Sequence, residues 1–305
     1  MSQHAAVRVP DGLEARRALG EPWVSWLDRL PGLAREVLAE WELSPDGPAM
    51  HGHCSLVLPV RRAEGELGVL KLALPDAESE HEALALQRWA GDGAVRMLRA
   101  DPARRAMLLE RLGRRTLAEE WDVQACELVG QRYARLHLPA PPQLRLLSDQ
   151  VARWTASLAA LPAGAPLPHR LVEQAVSLGR ELTSDPGERR LLHTDLHYDN
   201  VLAGEREEWL VIDPKPLAGD PHYEVAPLLW NRWDELAGDV RAGVRRRFHA
   251  VVDAAGLDEE RARDWVVVRM LHNALWGLSD DPGQVRRGTR ELLTVCVAVA
   301  KAVQD

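Results

Sequence analysis

Leu191 to Pro214 reads LLHTDLHYDNVLAGEREEWLVIDP. Two histidines, three aspartates and an asparagine fall within it, flanked by short apolar runs. Three chemistries fit such a segment: a zinc or iron site, a magnesium–phosphate site, or a solvated loop of turn formers. The spacing narrows the choice. His193, Asp195, Leu196 and Asn200 form the pattern H-x-D-L-x-x-x-N, and Asp213 follows the apolar run WLVI. Asn200 and Asp213 are hard oxygen donors of the kind magnesium takes, with phosphate oxygens completing its shell. Asp195 is then left to accept a proton from a hydroxyl. Positioning, charge neutralisation and an oriented nucleophile are what phosphoryl transfer requires. A zinc or iron reading of HTDLH through His197 and Asp199 needs further ligands and explains nothing else in the chain.

Upstream, SLVLPVRR and LGVLKLAL read as two strands around a polar turn. PDAESEHEALALQRWAGDG follows as a helix begun by Pro75 and Asp76 and ended by GDG. AVRMLRA and RAMLLERL around DPAR form a second hairpin. The first 45 residues read as helices separated by turns at PDG, LPGL and SPDG, with Trp23, Trp26, Leu27, Leu30 and Leu33 at helical spacing. Beyond ERLG at 110–113 the chain is mostly helical: DVQACELVGQRYARLHLPAPP reads as a helix ended by its prolines, and further helices are expected near 148–160, 169–184, 222–236, 239–255, 259–278 and 286–303. This gives an α+β protein of two lobes: a small mixed lobe over residues 1–110 and a larger helical lobe over 111–305.

The chain is identified as a member of the aminoglycoside phosphotransferase family, within the protein-kinase-like fold, on these residues in this order. The loop resembles the kinase catalytic loop, with Thr194 where protein kinases carry arginine and IDPKP in place of D-F-G. The family match covers roughly residues 45 to 280; more narrowly, LHYDNVLAGEREEWLVIDPKPLAGDP and RMLHNALWGLSDD resemble the streptomycin 6-kinase and hydroxyurea phosphotransferase branch. The resemblance implies ATP and Mg2+ as cofactors, bound between two lobes, with Asp195 as catalytic base and Asn200 and Asp213 on the metal. It places Lys71 on the α- and β-phosphates, held by Glu82, with Glu78 one turn earlier as substitute. It puts main-chain groups near Glu110 to Leu112 against adenine, and MHGHCS, ending at Ser55, over the phosphates. His193 supports the loop. Lys215 has two readings, an ion pair with a nearby acid or a reach to the moving phosphate.

The acceptor expected is a small molecule, a cationic antibiotic such as an aminoglycoside. Its candidate contacts are Asp220, Glu224, Trp230, Asn231, Asp234 and Glu235 beyond the metal aspartate, then Asn273, Trp276, Asp280 and Asp281, with helix caps and solvated faces as the alternative for half of them and a brace for the loop as the alternative for Asp220. Carboxylates suit ammonium and guanidinium groups, and indole rings suit sugars or cations. A metabolite kinase of the same fold and a catalytically silent nucleotide binder are the rival readings.

Composition agrees with a compact protein of this size. The 305 residues are 46% hydrophobic and 28% charged, with net charge −8. That balance excludes a general basic surface for nucleic acid. Lys71 is one of only three lysines among 38 basic residues, which makes a lysine inside an apolar strand informative. Cys54, Cys126 and Cys296 are odd in number and widely spaced, so neither a disulfide framework nor a cysteine zinc site is expected. The N-terminus lacks a basic-then-apolar leader, and the longest apolar run is too short to span a bilayer. A cytoplasmic protein with no membrane or obligate protein partner is the expectation.

Overall fold

The structure, a computed structural model, describes residues 7–162, 164–185, 187–279 and 287–304. The chain divides into two compact units: Met1–Arg114 with Ala203–Leu210, and Arg115–Leu202 with Val211–Asp305.

The first unit carries α1 (Asp11–Glu14) and α2 (Trp23–Glu40), then β1 (Ser44–Pro45), β2 (Met50–His51), β3 (Ser55–Arg61), β4 (Leu67–Ala73), α3 (Glu82–Trp89), β5 (Met97–Asp101) and β6 (Ala106–Glu110). The strands form an antiparallel sheet in the order β1-β3-β4-β6-β5, with β2 paired to β3. Side chains alternate across it with period two. Leu56, Leu58, Val60, Leu70, Leu72, Ala106 and Leu108 pack with Trp26, Leu27, Leu30, Ala34, Val37 and Leu38 of α2 in one buried core. The alternate positions Val57, Lys71 and Met107 are in register across the three central strands. Lys71 is thereby turned to the face opposite α2 by strand geometry alone.

Two sequence expectations are corrected here. LPGL is not a turn, because α2 runs through Pro31. Proline removes one helical hydrogen bond, yet buried residues on both sides, from Trp23 to Leu38, hold the helix together. The helix expected from Pro75 begins only at Glu82. Asp76 accepts the Ser79 N–H at 2.7 Å, so its capping chemistry closes a turn instead.

The second unit contains α4 (Asp122–Leu136), α5 (Leu147–Ala159), α6 (His169–Ser184), β7 (Arg190–Leu192), β8 (Val201–Ala203), β9 (Trp209–Val211), β10 (Leu217–Gly219), α7 (Pro227–Trp230), α8 (Val240–Ala255), α9 (Glu259–Ser279) and α10 (Arg287–Ala302). The tip of the β8–β9 hairpin is the segment that groups with the first unit. β7 and β10 pair antiparallel with Leu192 opposite Leu217, which brackets the loop between them. α4 and α8 pack closely at Gly130, where a Cβ would lie 2.8 Å from the Val251 carbonyl oxygen. The helix expected over 222–236 is broken into a 3-10 turn, α7 and a second 3-10 turn. Pro227 starts α7, Asn231 leaves it with extended ψ, and Arg232 takes a left-handed φ of 54°. Among the described residues, no helix is long and apolar enough to cross a membrane.

Candidate active site

His193 organises the loop. It is fully buried, and burial lowers its pKa against the pull of Glu224, the Ile212 carbonyl and Asp195. Its two partners fix the neutral tautomer. Nε2 donates to the Ile212 carbonyl at 2.8 Å, and Nδ1 accepts the Asp195 N–H at 3.2 Å. Thr194, beside it, has φ of 63°, an uncommon conformation for a β-branched residue. The Thr194 N–H donates to the Glu224 carboxylate, and its hydroxyl donates to the Lys215 carbonyl at 2.6 Å. The Lys215 N–H donates to the His193 carbonyl at 2.9 Å. Asp195, held by its main chain, is partly exposed.

Asn200 spends its amide Nδ2 on the Asp195 carbonyl at 2.8 Å, which leaves Oδ1 as its acceptor oxygen. Its own carbonyl accepts the Ile212 N–H at 2.9 Å, so Asn200 is tied one residue before Asp213. Asp213 takes a φ of 57° directly after Ile212, and Lys215 Nζ donates to its Oδ1 at 2.9 Å. Of the two readings of Lys215, the ion pair is the one formed. An amide oxygen and a carboxylate brought together on rigid backbone are a donor set that fits magnesium and suits zinc poorly. No group of three or more His, Cys, Asp or Glu side chains able to hold a metal occurs among the described residues. His197 instead caps the turn at Tyr198–Asn200 by accepting the Asp199 N–H.

In the first unit, Lys71 Nζ and Glu82 Oε1 are 2.6 Å apart, with side chains 9% and 2% exposed. The register that turns Lys71 away from α2 and the delayed start of α3 at Glu82 produce this pair. Ser55, at the start of β3, is buried, and its carbonyl accepts the Gly52 N–H at 2.9 Å. Glu110 ends β6. Its carboxylate takes Arg206 in a bidentate contact, with Nη2 at 2.8 Å, and also the Arg96 N–H at 2.7 Å. The Glu110 N–H is paired with the Arg96 carbonyl, and Leu112 follows, half-buried.

The predicted acceptor residues separate into braces and accessible groups. Asp220 is 2% exposed, and its carboxylate accepts from the His222 N–H at 3.0 Å, Trp265 Nε1 at 2.8 Å, and Arg261. Burial opposes its ionisation, but the His222 and Trp265 hydrogen bonds outweigh burial and hold its pKa down at about 2. Glu224 is also buried and turned onto Thr194. Trp230 and Asn231 are half-buried, and Asn231 Nδ2 donates to the Pro227 carbonyl at 2.8 Å. Asp234 and Glu235 are exposed, and Arg232 is paired with Glu235. Asn273 and the exposed Trp276 lie three residues apart on α9. Asp280 and Asp281 fall outside the described residues.

A stability prediction arises at Asp220. Its folded pKa is depressed from 3.8, so its contribution is present above pH 4 and is lost as pH falls towards 2. The shift is worth about 2 kcal/mol. Asp220→Asn is expected to flatten the pH dependence of the urea midpoint between about pH 5 and pH 2. An unchanged slope would show that Asp220 does not carry it.

Several supporting residues gave no sequence signal. Arg247 of α8 is fully buried, bonds Asp122 at 2.8 Å, and donates to the Asn231 and Arg232 carbonyls at 2.8 and 3.2 Å. Its guanidinium lies 5.7 Å from the ring of Tyr198, in the turn at Tyr198–Asn200. Arg269 of α9 reaches Thr194 and Tyr223. Nothing local in the sequence marks either arginine, since their partners are distant along the chain.

Known proteins resemble this chain in sequence and in fold. The chain is 42% identical to a streptomycin 6-kinase of Streptomyces glaucescens, with 100% of this chain and 99% of the relative aligned. It is 43% identical to a hydroxyurea phosphotransferase of Kitasatospora aureofaciens, over 91% and 81% of the two chains. Among solved structures, an AMP-bound spectinomycin phosphotransferase has a TM-score of 0.62 at 14% identity, covering 90% of this chain and 98% of that one. The choline kinase LicA from Streptococcus pneumoniae has a TM-score of 0.60 at 12% identity, covering 89% and 97%. These likenesses at low identity establish the protein-kinase-like fold. The model of the aminoglycoside/hydroxyurea antibiotic resistance kinases matches residues 40–281. With most of its length matched by the family model and a relative 42% identical end to end, the chain belongs to the aminoglycoside/hydroxyurea antibiotic resistance kinase family.

Proposed function

We infer that this chain is an ATP-dependent O-phosphotransferase that inactivates an antibiotic, with an aminoglycoside such as streptomycin as acceptor. The observation that carries the reading is the division of labour in the loop. Asn200 commits its amide N–H to the Asp195 main chain and keeps its oxygen for a cation, while the Asp195 carboxylate stays partly exposed for the acceptor. The end-to-end likeness to a streptomycin 6-kinase supports the choice of acceptor.

In the mechanism, Lys71, kept in place by Glu82, binds the α- and β-phosphates. Asn200 and Asp213 would hold Mg2+, which would neutralise phosphate charge when bound. Asp195 orients the acceptor hydroxyl and takes its proton. A bond forms between the acceptor oxygen and the γ-phosphorus, the bond from that phosphorus to the β,γ-bridging oxygen breaks, and ADP leaves. Catalysis of this kind rests on positioning and charge rather than base strength. The reducing cytoplasm, where ATP is available, is the proposed site of action, and Cys54, Cys126 and Cys296 are not in disulfides.

The test is ADP release with Mg-ATP and streptomycin, with product mass read in the same reaction. A gain of one phosphate supports the full reading. Phosphorylation of hydroxyurea or choline instead would keep the kinase and replace the acceptor. ATP binding without turnover on any acceptor would leave a nucleotide-binding protein and refute the enzyme.

A further inference from the structure

The catalytic loop owes its shape to the two peptide groups flanking Thr194, and both are gripped at each end. In the first, between His193 and Thr194, the carbonyl accepts the Lys215 N–H at 2.9 Å and the N–H donates to Glu224. In the second, between Thr194 and Asp195, the N–H donates to His193 Nδ1 at 3.2 Å. The carbonyl of that second peptide accepts from Arg269 Nη2 at 3.4 Å. Of the residues that donate or accept here, Arg269 alone comes from α9, outside the segment from His193 to Glu224.

The guanidinium is itself held. Nη1 donates to the Tyr223 hydroxyl, and its carbon lies 4.5 Å from the Tyr223 ring centroid and 5.7 Å from that of Trp230. Arginine is suited to this place, because one planar fork donates along its edge while its face stacks on aromatic rings. Lysine offers only a point charge there.

Thr194 needs such support. A β-branched residue at φ of 63° is in a sparsely populated conformation that persists only where its surroundings impose it. The plane of the Thr194–Asp195 peptide sets the direction in which Asp195 leaves the backbone. Release of its carbonyl lets that plane rotate, and the carboxylate moves with it. An error of about 1 Å in a reacting group costs up to about a hundredfold in rate.

We propose that Arg269 is a positioning residue for Asp195, fixing the peptide before the catalytic base through its contact with the Thr194 carbonyl. This rests on the phosphotransfer reading for its kinetic consequence but not for its structural one. Trp230 takes part in the same assembly, as a wall against the guanidinium.

The experiment compares the wild-type protein with Arg269→Ala and Arg269→Lys by two readouts. The first is kinetic: kcat is expected to fall at least about tenfold in Arg269→Ala, with the KM for ATP within about twofold. Arg269→Lys is expected to lie between the two, and it serves if the alanine variant does not fold. The second is amide hydrogen exchange, followed on peptides covering 191–200 and on peptides of β3 and β4 as the internal reference. Faster exchange over 191–200 in Arg269→Ala or Arg269→Lys, with the reference unchanged, is the expected result. Wild-type exchange over that segment in a folded variant overturns the proposal, as does an unchanged kcat. A uniform rise across both segments would mark a general loss of stability and would equally overturn a positioning role. If the wild-type protein turns over no acceptor, the phosphotransfer reading fails separately, and exchange over 191–200 still decides the role of Arg269.

Discussion

Asp195→Asn is expected to lower kcat at least about a hundredfold, a barrier increase on the order of 2.7 kcal/mol, while ATP still binds. The substitution is nearly isosteric, and the contacts that shape this loop use the Asp195 backbone. Its N–H goes to His193 Nδ1, and its carbonyl takes the Asn200 amide. Both bonds survive the change, so the Asn200 and Asp213 oxygens keep their places. What is lost is the acceptor for the hydroxyl proton and the negative charge that orients that hydroxyl. A loss far beyond the range of general base catalysis would point to damage in the metal site. Steady-state ADP release and nucleotide titration on the same preparation separate the two. Turnover within threefold of wild type would remove Asp195 from the mechanism.

The second large effect is expected at the Lys71–Glu82 pair. Both side chains are buried, so neither charge can fall back on water when its partner is removed. Breaking a buried pair from one side costs about 3–5 kcal/mol. Lys71→Ala and Glu82→Gln are therefore each expected to destabilise the first unit severely in urea unfolding. Replacing both, as Lys71→Met with Glu82→Gln, removes the charges together and is expected to recover most of that stability. Function should not follow stability. The double variant still lacks the cation proposed to bind the phosphates, and its use of ATP is expected to stay as poor as that of Lys71→Ala. Recovery of ordinary ATP use in the double variant would show the pair to be purely structural.

How much of this was legible in the sequence depends on the range of the interaction involved. The hairpin of β3 and β4 and the full span of α6 follow from local pattern and punctuation. The pairing of Lys71 with Glu82 came from the family resemblance rather than from local pattern, and the 2.6 Å contact agrees with it. The loop from His193 to Asp213 carried its own signature. The failures are long-range. Proline at 31 is a local breaking signal, overridden by packing of α2 against a sheet formed later in the chain. Carboxylates after Asp213 were visible as a set, but their directions were not. Asp220 is turned inward by Trp265 and Arg261, and Glu224 by the strained amide of Thr194. Arg269 and Arg247 were invisible for the same reason: Arg269 meets Tyr223 across 46 positions, and Arg247 meets Asp122 across 125.

The hairpin tip at Ala203–Leu210 bears on how this kind of protein can be recombined. Glu110 is satisfied by Arg206, which also donates to the Ala94 carbonyl at 2.6 Å, and Gly113 donates to the Ala203 carbonyl at 2.7 Å. The first unit is therefore encoded in two pieces with a long insertion between them. A gene chimera joined once at Arg114 would combine a Glu110 from one parent with an Arg206 from the other, and only parents matched at both positions would yield a sound first unit. Exchange of the whole unit between relatives requires two further crossovers, on either side of the hairpin tip, and each lies within a few residues of Asn200 or Asp213. Trading the first unit intact between relatives thus places both extra junctions beside the loop that carries Asn200 and Asp213.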